Sequence, residues 1–88
     1  MRLINEVKDK PVITTRQIMM ESVLITHVFY DEDRDWQFFD ASDFFESNAM
    51  VVSVQQIINK DNSLMDLPEM FPGDRIRRNS KEDIWEKF

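Results

Sequence analysis

With 88 residues, 42% of them hydrophobic and ten aromatic, the chain has material for one domain (residues 1–88) with a small core. The absence of cysteine removes disulfide, cysteine–zinc and thiol chemistry and fits a reducing cytoplasm, and a single glycine excludes a P-loop or a dinucleotide-binding fingerprint. The net charge of −6 opposes binding to nucleic acid or to an anionic membrane, and no stretch approaches the roughly 18 apolar residues of a membrane span.

The charged N-terminus lacks the apolar run of a signal peptide, and residues 1–10 read as a loosely attached segment. Leu3, Ile4 and Val7 have helical spacing over too short a length for an isolated helix. After Pro11, the β-branched run Val12-Ile13-Thr14 predicts a short strand. Thr14 and Gln17 have capping-box spacing, which predicts one or two helical turns over Thr15–Glu21, with Ile18 and one of Met19 or Met20 inward.

Ser22–Tyr30 predicts the strongest strand, apolar on both sides and therefore central. Asp31-Glu32-Asp33-Arg34-Asp35 cannot extend it, and Trp36–Phe39 is again strand-like, so the pair predicts a β-hairpin with Tyr30 opposite Trp36, Val28 opposite Phe38 and His27 beside Phe39. Asp40–Asn48 predicts a helical turn carrying Phe44 and Phe45, and Ala49–Val52 a short strand. Ser53 and Gln56 form a second capping-box pattern, opening a helix from Val54 to about Lys60 with Val54, Ile57 and Ile58 inward. Leu64, Leu67, Met70 and Phe71 are expected to cover the core. Gly73-Asp74 predicts a turn into a last strand, Arg75–Asn79, followed by a tail (80–88) in which Ile84, Trp85 and Phe88 close the chain. The pattern is α+β: a small, mainly antiparallel β-sheet with a central β-hairpin and two or three short helices packed on it.

Charge is unevenly placed. Glu21–Glu69 holds eleven acids against two bases, Arg34 and Lys60, a net of −9. Surface solubility accounts for such a face, and so does steering toward a basic partner. Arg75, Arg77 and Arg78 form the only basic cluster. With Asp74, Glu82 and Asp83 beside it, the cluster suggests local ion pairing or a strand edge rather than a phosphate site.

The chemical motifs are incomplete. Asp31, Asp33 and Asp35 alternate as EF-hand ligands do, but Trp36 and Ser42 stand where that loop needs its glycine and its bidentate glutamate, so no metal site is expected. His27 is the lone histidine and reads as a hydrogen-bonded core residue that, beside the acidic loop, would titrate near neutral pH. No carboxylate pair stands out among Asp31, Asp33, Asp35, Asp40, Asp43 and Glu46, and no serine sits in a nucleophile elbow. A stacking platform made of Trp36, Phe38, Phe39, Phe44 and Phe45 would lack the basic groove that single-stranded bases require. Neither enzymatic activity nor a cofactor is expected.

Ile25-Thr26-His27-Val28-Phe29, the acidic loop, Asp35-Trp36-Gln37-Phe38, Met50-Val51-Val52-Ser53-Val54, and then Asp66-Leu67-Pro68, Gly73, Arg78 and Trp85 form a spaced pattern from Val12 to Trp85. That pattern resembles a family of small bacterial proteins catalogued as a domain of unknown function and grouped with the immunity proteins of polymorphic toxin systems. The chain departs from it where Arg34-Asp35 replaces a glycine before the tryptophan strand, and where Met70-Phe71-Pro72 lengthens the approach to Gly73. The resemblance brings no catalytic residues. Together with the acidic central segment and the absence of a complete catalytic set, it points to a cytoplasmic protein-binding module with a basic, toxin-like partner, for which Asp31, Asp33 and Asp35 would set the association rate and Tyr30, Trp36 or Phe45 would be anchors. The alternative is an accessory or regulatory domain holding a small ligand in an apolar pocket, with His27, Gln37 and Arg78 converging on it.

Overall fold

The computed structural model describes residues 1–41 and 48–88. Among these residues six strands, β1 (Pro11–Thr15), β2 (His27–Tyr30), β3 (Trp36–Phe39), β4 (Ala49–Ser53), β5 (Asp74–Arg77) and β6 (Glu86–Lys87), form one sheet of order β4-β1-β3-β2-β5-β6. Only the β1–β3 pairing is parallel; the other four are antiparallel. Two helices, α1 (Arg16–Glu21) and α2 (Val54–Lys60), are described, with 3₁₀ turns at Leu3–Asn5 before β1 and Asn62–Asp66 after α2. The α+β architecture expected from the sequence is the one observed. The predicted helical turn at Phe44 and Phe45 lies outside the described residues.

The central hairpin has the register read from the sequence: His27 opposite Phe39, Val28 opposite Phe38, Phe29 opposite Gln37 and Tyr30 opposite Trp36. Alternation then sorts the two faces. Val28, Tyr30, Trp36, Phe38 and, from β5, Ile76 are all buried on the inner face. There they meet Val54, Ile57 and Ile58 of α2 and Leu3, Leu64, Leu67 and Met70 from the turns. Buried Leu3 anchors residues 1–10, expected to be loosely attached, and the N-terminal amine is held by the Met70 carbonyl at 2.7 Å and by Glu69 at 3.1 Å. Apolar area removed from water is the main favourable term in such a core, at about 25 cal/mol per Å2.

Local signals fix the element ends. Ser53 caps α2 with a complete capping box: its hydroxyl accepts the Gln56 N–H at 3.0 Å, and the Gln56 side chain accepts the Ser53 N–H at 2.8 Å. At α1 the cap is Thr15, whose hydroxyl accepts the Ile18 N–H at 3.3 Å, and not Thr14. β1 stays paired with β4 through Thr15, so the helix begins one residue later than the spacing predicted, and the Thr14 hydroxyl instead donates to the Phe38 carbonyl at 3.0 Å within the core. The first part of the predicted Ser22–Tyr30 strand is also not strand. Ser22 takes a left-handed conformation (φ 56°) to end α1, and residues 23–26 lead into β2, with the Thr26 N–H already donating to the Phe39 carbonyl at 3.0 Å. Phe71, expected to cover the core, is 60% exposed because Met70 occupies the inner position beside it, and in the tail Ile84 is 78% exposed while Trp85 packs against the core.

Candidate functional site

The hairpin tip is organised by one side chain. As β2 ends, the Asp31 N–H donates to the Asp35 carbonyl at 3.0 Å, and the Asp31 carbonyl accepts the Arg34 N–H at 2.9 Å. Asp31 Oδ1 accepts the backbone N–H of Asp33 (2.9 Å) and of Asp35 (3.0 Å), and Oδ2 accepts Gln37 Nε2 at 3.2 Å. This side-chain capture of nearby amides is what makes aspartate a turn former. Arg34 sits at φ 66°, the left-handed region where glycine is unstrained. Lys10 Nζ holds the Arg34 carbonyl at 2.8 Å, and the Gly73 N–H holds the Tyr30 carbonyl at 2.7 Å, so the tip is tied from both flanks.

With Asp31 committed to the turn, Glu32, Asp33 and Asp35 are left exposed, and their carboxylates have no hydrogen-bond or ion-pair partner among the described residues. Glu6 adds a fourth acid below them: its Oε2 accepts Trp36 Nε1 at 3.1 Å, with Lys10 Nζ 3.9 Å away. The Tyr30 hydroxyl responds to this surrounding. Burial pushes its pKa up, the charge of Glu6 reinforces the shift, Arg34 opposes it, and Asp31 and Asp35 add smaller increases.

Of the residues expected to meet a partner, Asp33 and Asp35 are exposed at the tip and Asp31 is its internal brace. Tyr30 and Trp36 are not surface anchors. They are 4% and 0% exposed, packed against each other with ring centroids 4.5 Å apart and planes tilted by 35° on the inner face, because the register that pairs them also turns both toward the core. Phe45 lies outside the described residues. Sequence reasoning passed over Glu32 and Glu6. Glu32 lay within the acidic loop already singled out, whereas nothing local in the sequence brings Glu6 to Trp36, 30 residues later.

At the other end of the strands, the arginine cluster resolves into two arrangements. Arg78, its side chain 1% exposed, donates to the Ile25 carbonyl (3.0 Å), Ser63 Oγ (2.8 Å) and Asp61 Oδ2 (2.8 Å), and its guanidinium lies 4.3 Å from the Trp85 ring centroid. Its partner is therefore Asp61 rather than the neighbouring acids, and Asp74 pairs with Lys87 at 3.4 Å. Arg75 and Arg77 lie over the Phe88 ring, 4.8 and 5.1 Å from its centroid, and that ring also meets His27 and Phe29 edge-on.

A cavity of about 610 Å3 opens here, lined by Thr26, His27, Arg77, Arg78, Asp83 and Glu86 among others. It brings His27 and Arg78 together but not Gln37, which belongs to the hairpin tip, and its wall is polar rather than apolar. The Arg78 donors named above are all spent inside the protein, so the convergent set expected of a small-ligand pocket is not assembled. Burial lowers the His27 pKa, Arg77 lowers it further, and Asp40 opposes them, which places its titration below the ordinary histidine value.

Among the described residues, no group of three or more histidine, aspartate or glutamate side chains is placed to hold a metal ion, and no helix is long and apolar enough to cross a membrane. Comparison of the chain with protein-family models, with curated proteins and with solved structures finds no match.

Proposed function

We propose that the protein is a non-enzymatic, cytoplasmic protein-binding module of immunity-protein type, whose acidic hairpin tip meets a basic, toxin-like protein partner. One observation carries the reading. Asp31 spends both carboxylate oxygens on holding the loop, which leaves Glu32, Asp33 and Asp35 presented to solvent on a braced turn. A fixed cluster of one sign raises encounter rates with a complementary surface and loses little entropy when it docks. The segment net charge of −9 and the family resemblance support the same assignment.

The test is affinity capture by the intact chain from the source cell at low salt, followed by a salt gradient. Counter-charged docking predicts release of a specific basic protein as ionic strength rises, because screening shortens the range of exposed charges. Retention that is indifferent to salt, or no captured protein, would count against the reading.

A further inference from the structure

The two edges of the sheet are built differently. The β6 edge is two residues long and carries Glu86 and Lys87, the short and charged form that discourages pairing with another chain. The β4 edge is five residues long, Ala49-Met50-Val51-Val52-Ser53, with no charge and no proline, and no described strand lies outside it. β4 and all of α2 except its last residue, Lys60, fall within the longest charge-free run of the chain, from Ser47 to Asn59, although 32% of all residues are charged.

The hydrogen-bonding phase of this edge follows from one contact. The Val54 N–H donates to the Lys10 carbonyl at 3.0 Å, so by antiparallel alternation the backbone groups of Val52 and Met50 face β1, and those of Val51 and Ala49 face outward. The Ser53 N–H also turns outward but is taken by Gln56. Val51 is 67% exposed, and its side chain lies on the sheet face opposite buried Val52.

We propose that β4 pairs with β4 of a second copy of this chain, antiparallel about a two-fold axis at Val51, so that two six-stranded sheets become one. Val51 of each copy then exchanges both backbone hydrogen bonds with Val51 of the other, and Ala49 comes opposite Ser53. A second copy is the occupant because the uncharged edge is self-complementary: antiparallel pairing centred on Val51 sets Ala49 opposite Ser53 with no charge on either strand. A chain of net charge −6 repels its own kind over most of its surface, and the β4–α2 edge is where two copies approach without placing like charges opposite one another. The hairpin tip, two strands away in the sheet, stays outside the contact.

Sedimentation of the intact chain across a concentration series tests this. A short strand pair supports a weak dimer, with a Kd on the order of 100 μM. Val51→Lys and Val51→Glu each place like charges at the axis and should raise that Kd roughly tenfold or more, with circular dichroism unchanged because residue 51 is exposed. An equimolar mixture of the two variants should recover dimer as the heterodimer, since the register sets Lys opposite Glu. A wild-type chain that stays at its monomer mass of 10.6 kDa up to about 1 mM, a dimer indifferent to both substitutions, or a mixture that fails to recover would each overturn the proposal.

Discussion

Arg78 and Asp61 are 17 residues apart in the chain and meet at 2.8 Å with the guanidinium almost wholly out of water. The pair ties the end of β5 to the end of α2, and through the Ile25 carbonyl to the segment entering β2. Burial pushes the Asp61 carboxyl up, but the Ser63 hydroxyl and amide and the Arg78 guanidinium outweigh it and hold the pKa below the ordinary value of 3.8. A carboxylate with a depressed folded pKa contributes stability that is present above about pH 4 and is lost as pH falls below it.

Arg78→Met should therefore destabilise the fold by about 3–5 kcal/mol, because it leaves the Asp61 charge buried without its partner. Urea denaturation at neutral pH reads this directly. The double variant Arg78→Met/Asp61→Leu should be destabilised by clearly less than the sum of Arg78→Met and Asp61→Leu measured singly, and additive effects would show that the pair is not coupled.

The turn residues make opposite predictions. Gly73 has φ 94°, and a Cβ there would stand 2.6 Å from Glu32 Oε1. The Glu32 carboxylate can swing away, but the left-handed backbone strain stays, so Gly73→Ala should cost about 1–2 kcal/mol, and adding Glu32→Ala should not restore it. Arg34, at φ 66°, is the converse case. Arg34→Gly removes the strain against the added entropy of a glycine in the unfolded chain, and should be neutral to about 1 kcal/mol stabilising.

Ser53→Ala deletes the hydroxyl half of the α2 capping box and should cost about 1 kcal/mol in thermal or chemical denaturation. Gln56→Ala, which removes the reciprocal half, should be destabilising in the same direction.

His27 should titrate below 6.5 when followed by NMR through its ring protons, for the burial and Arg77 reasons given above. The folded state then binds fewer protons than the unfolded state between the two pKa values. Its contribution to stability is complete above about pH 6.5 and declines as pH falls toward the folded value. His27→Asn should remove that part of the pH dependence and leave the Asp61 part, at lower pH, in place.

Much of the fold was legible because its signals are local. The polar loop between Tyr30 and Trp36 and the alternation on either side define the hairpin register, and Ser53-x-x-Gln56 marks where α2 begins. What the sequence concealed depends on contacts across long separations. Arg78 meets Asp61 only after β5 has paired with β2, and Glu6 meets Trp36 only after the N-terminal segment has folded over the sheet. Tyr30 and Trp36 were open to two readings, core or anchor, since an aromatic on a strand has the same sequence signature either way; the inner face on which the helices pack decides it. At the site, the acidic cluster was visible in composition, but the division of labour within it was not, since Asp31 becomes a brace only in the folded turn.

The central claim concerns which carboxylates face the partner, and one comparison tests it most directly. Capture from the source cell is run in parallel with the wild-type chain, with the tip variant Glu32→Gln/Asp33→Asn/Asp35→Asn, and with a control of equal charge change at exposed positions elsewhere, Glu21→Gln/Asp66→Asn/Glu82→Gln. The account predicts that the wild type and the control retain the same basic protein and that the tip variant loses it. Equal retention by the tip variant, or equal loss by both variants, would contradict it.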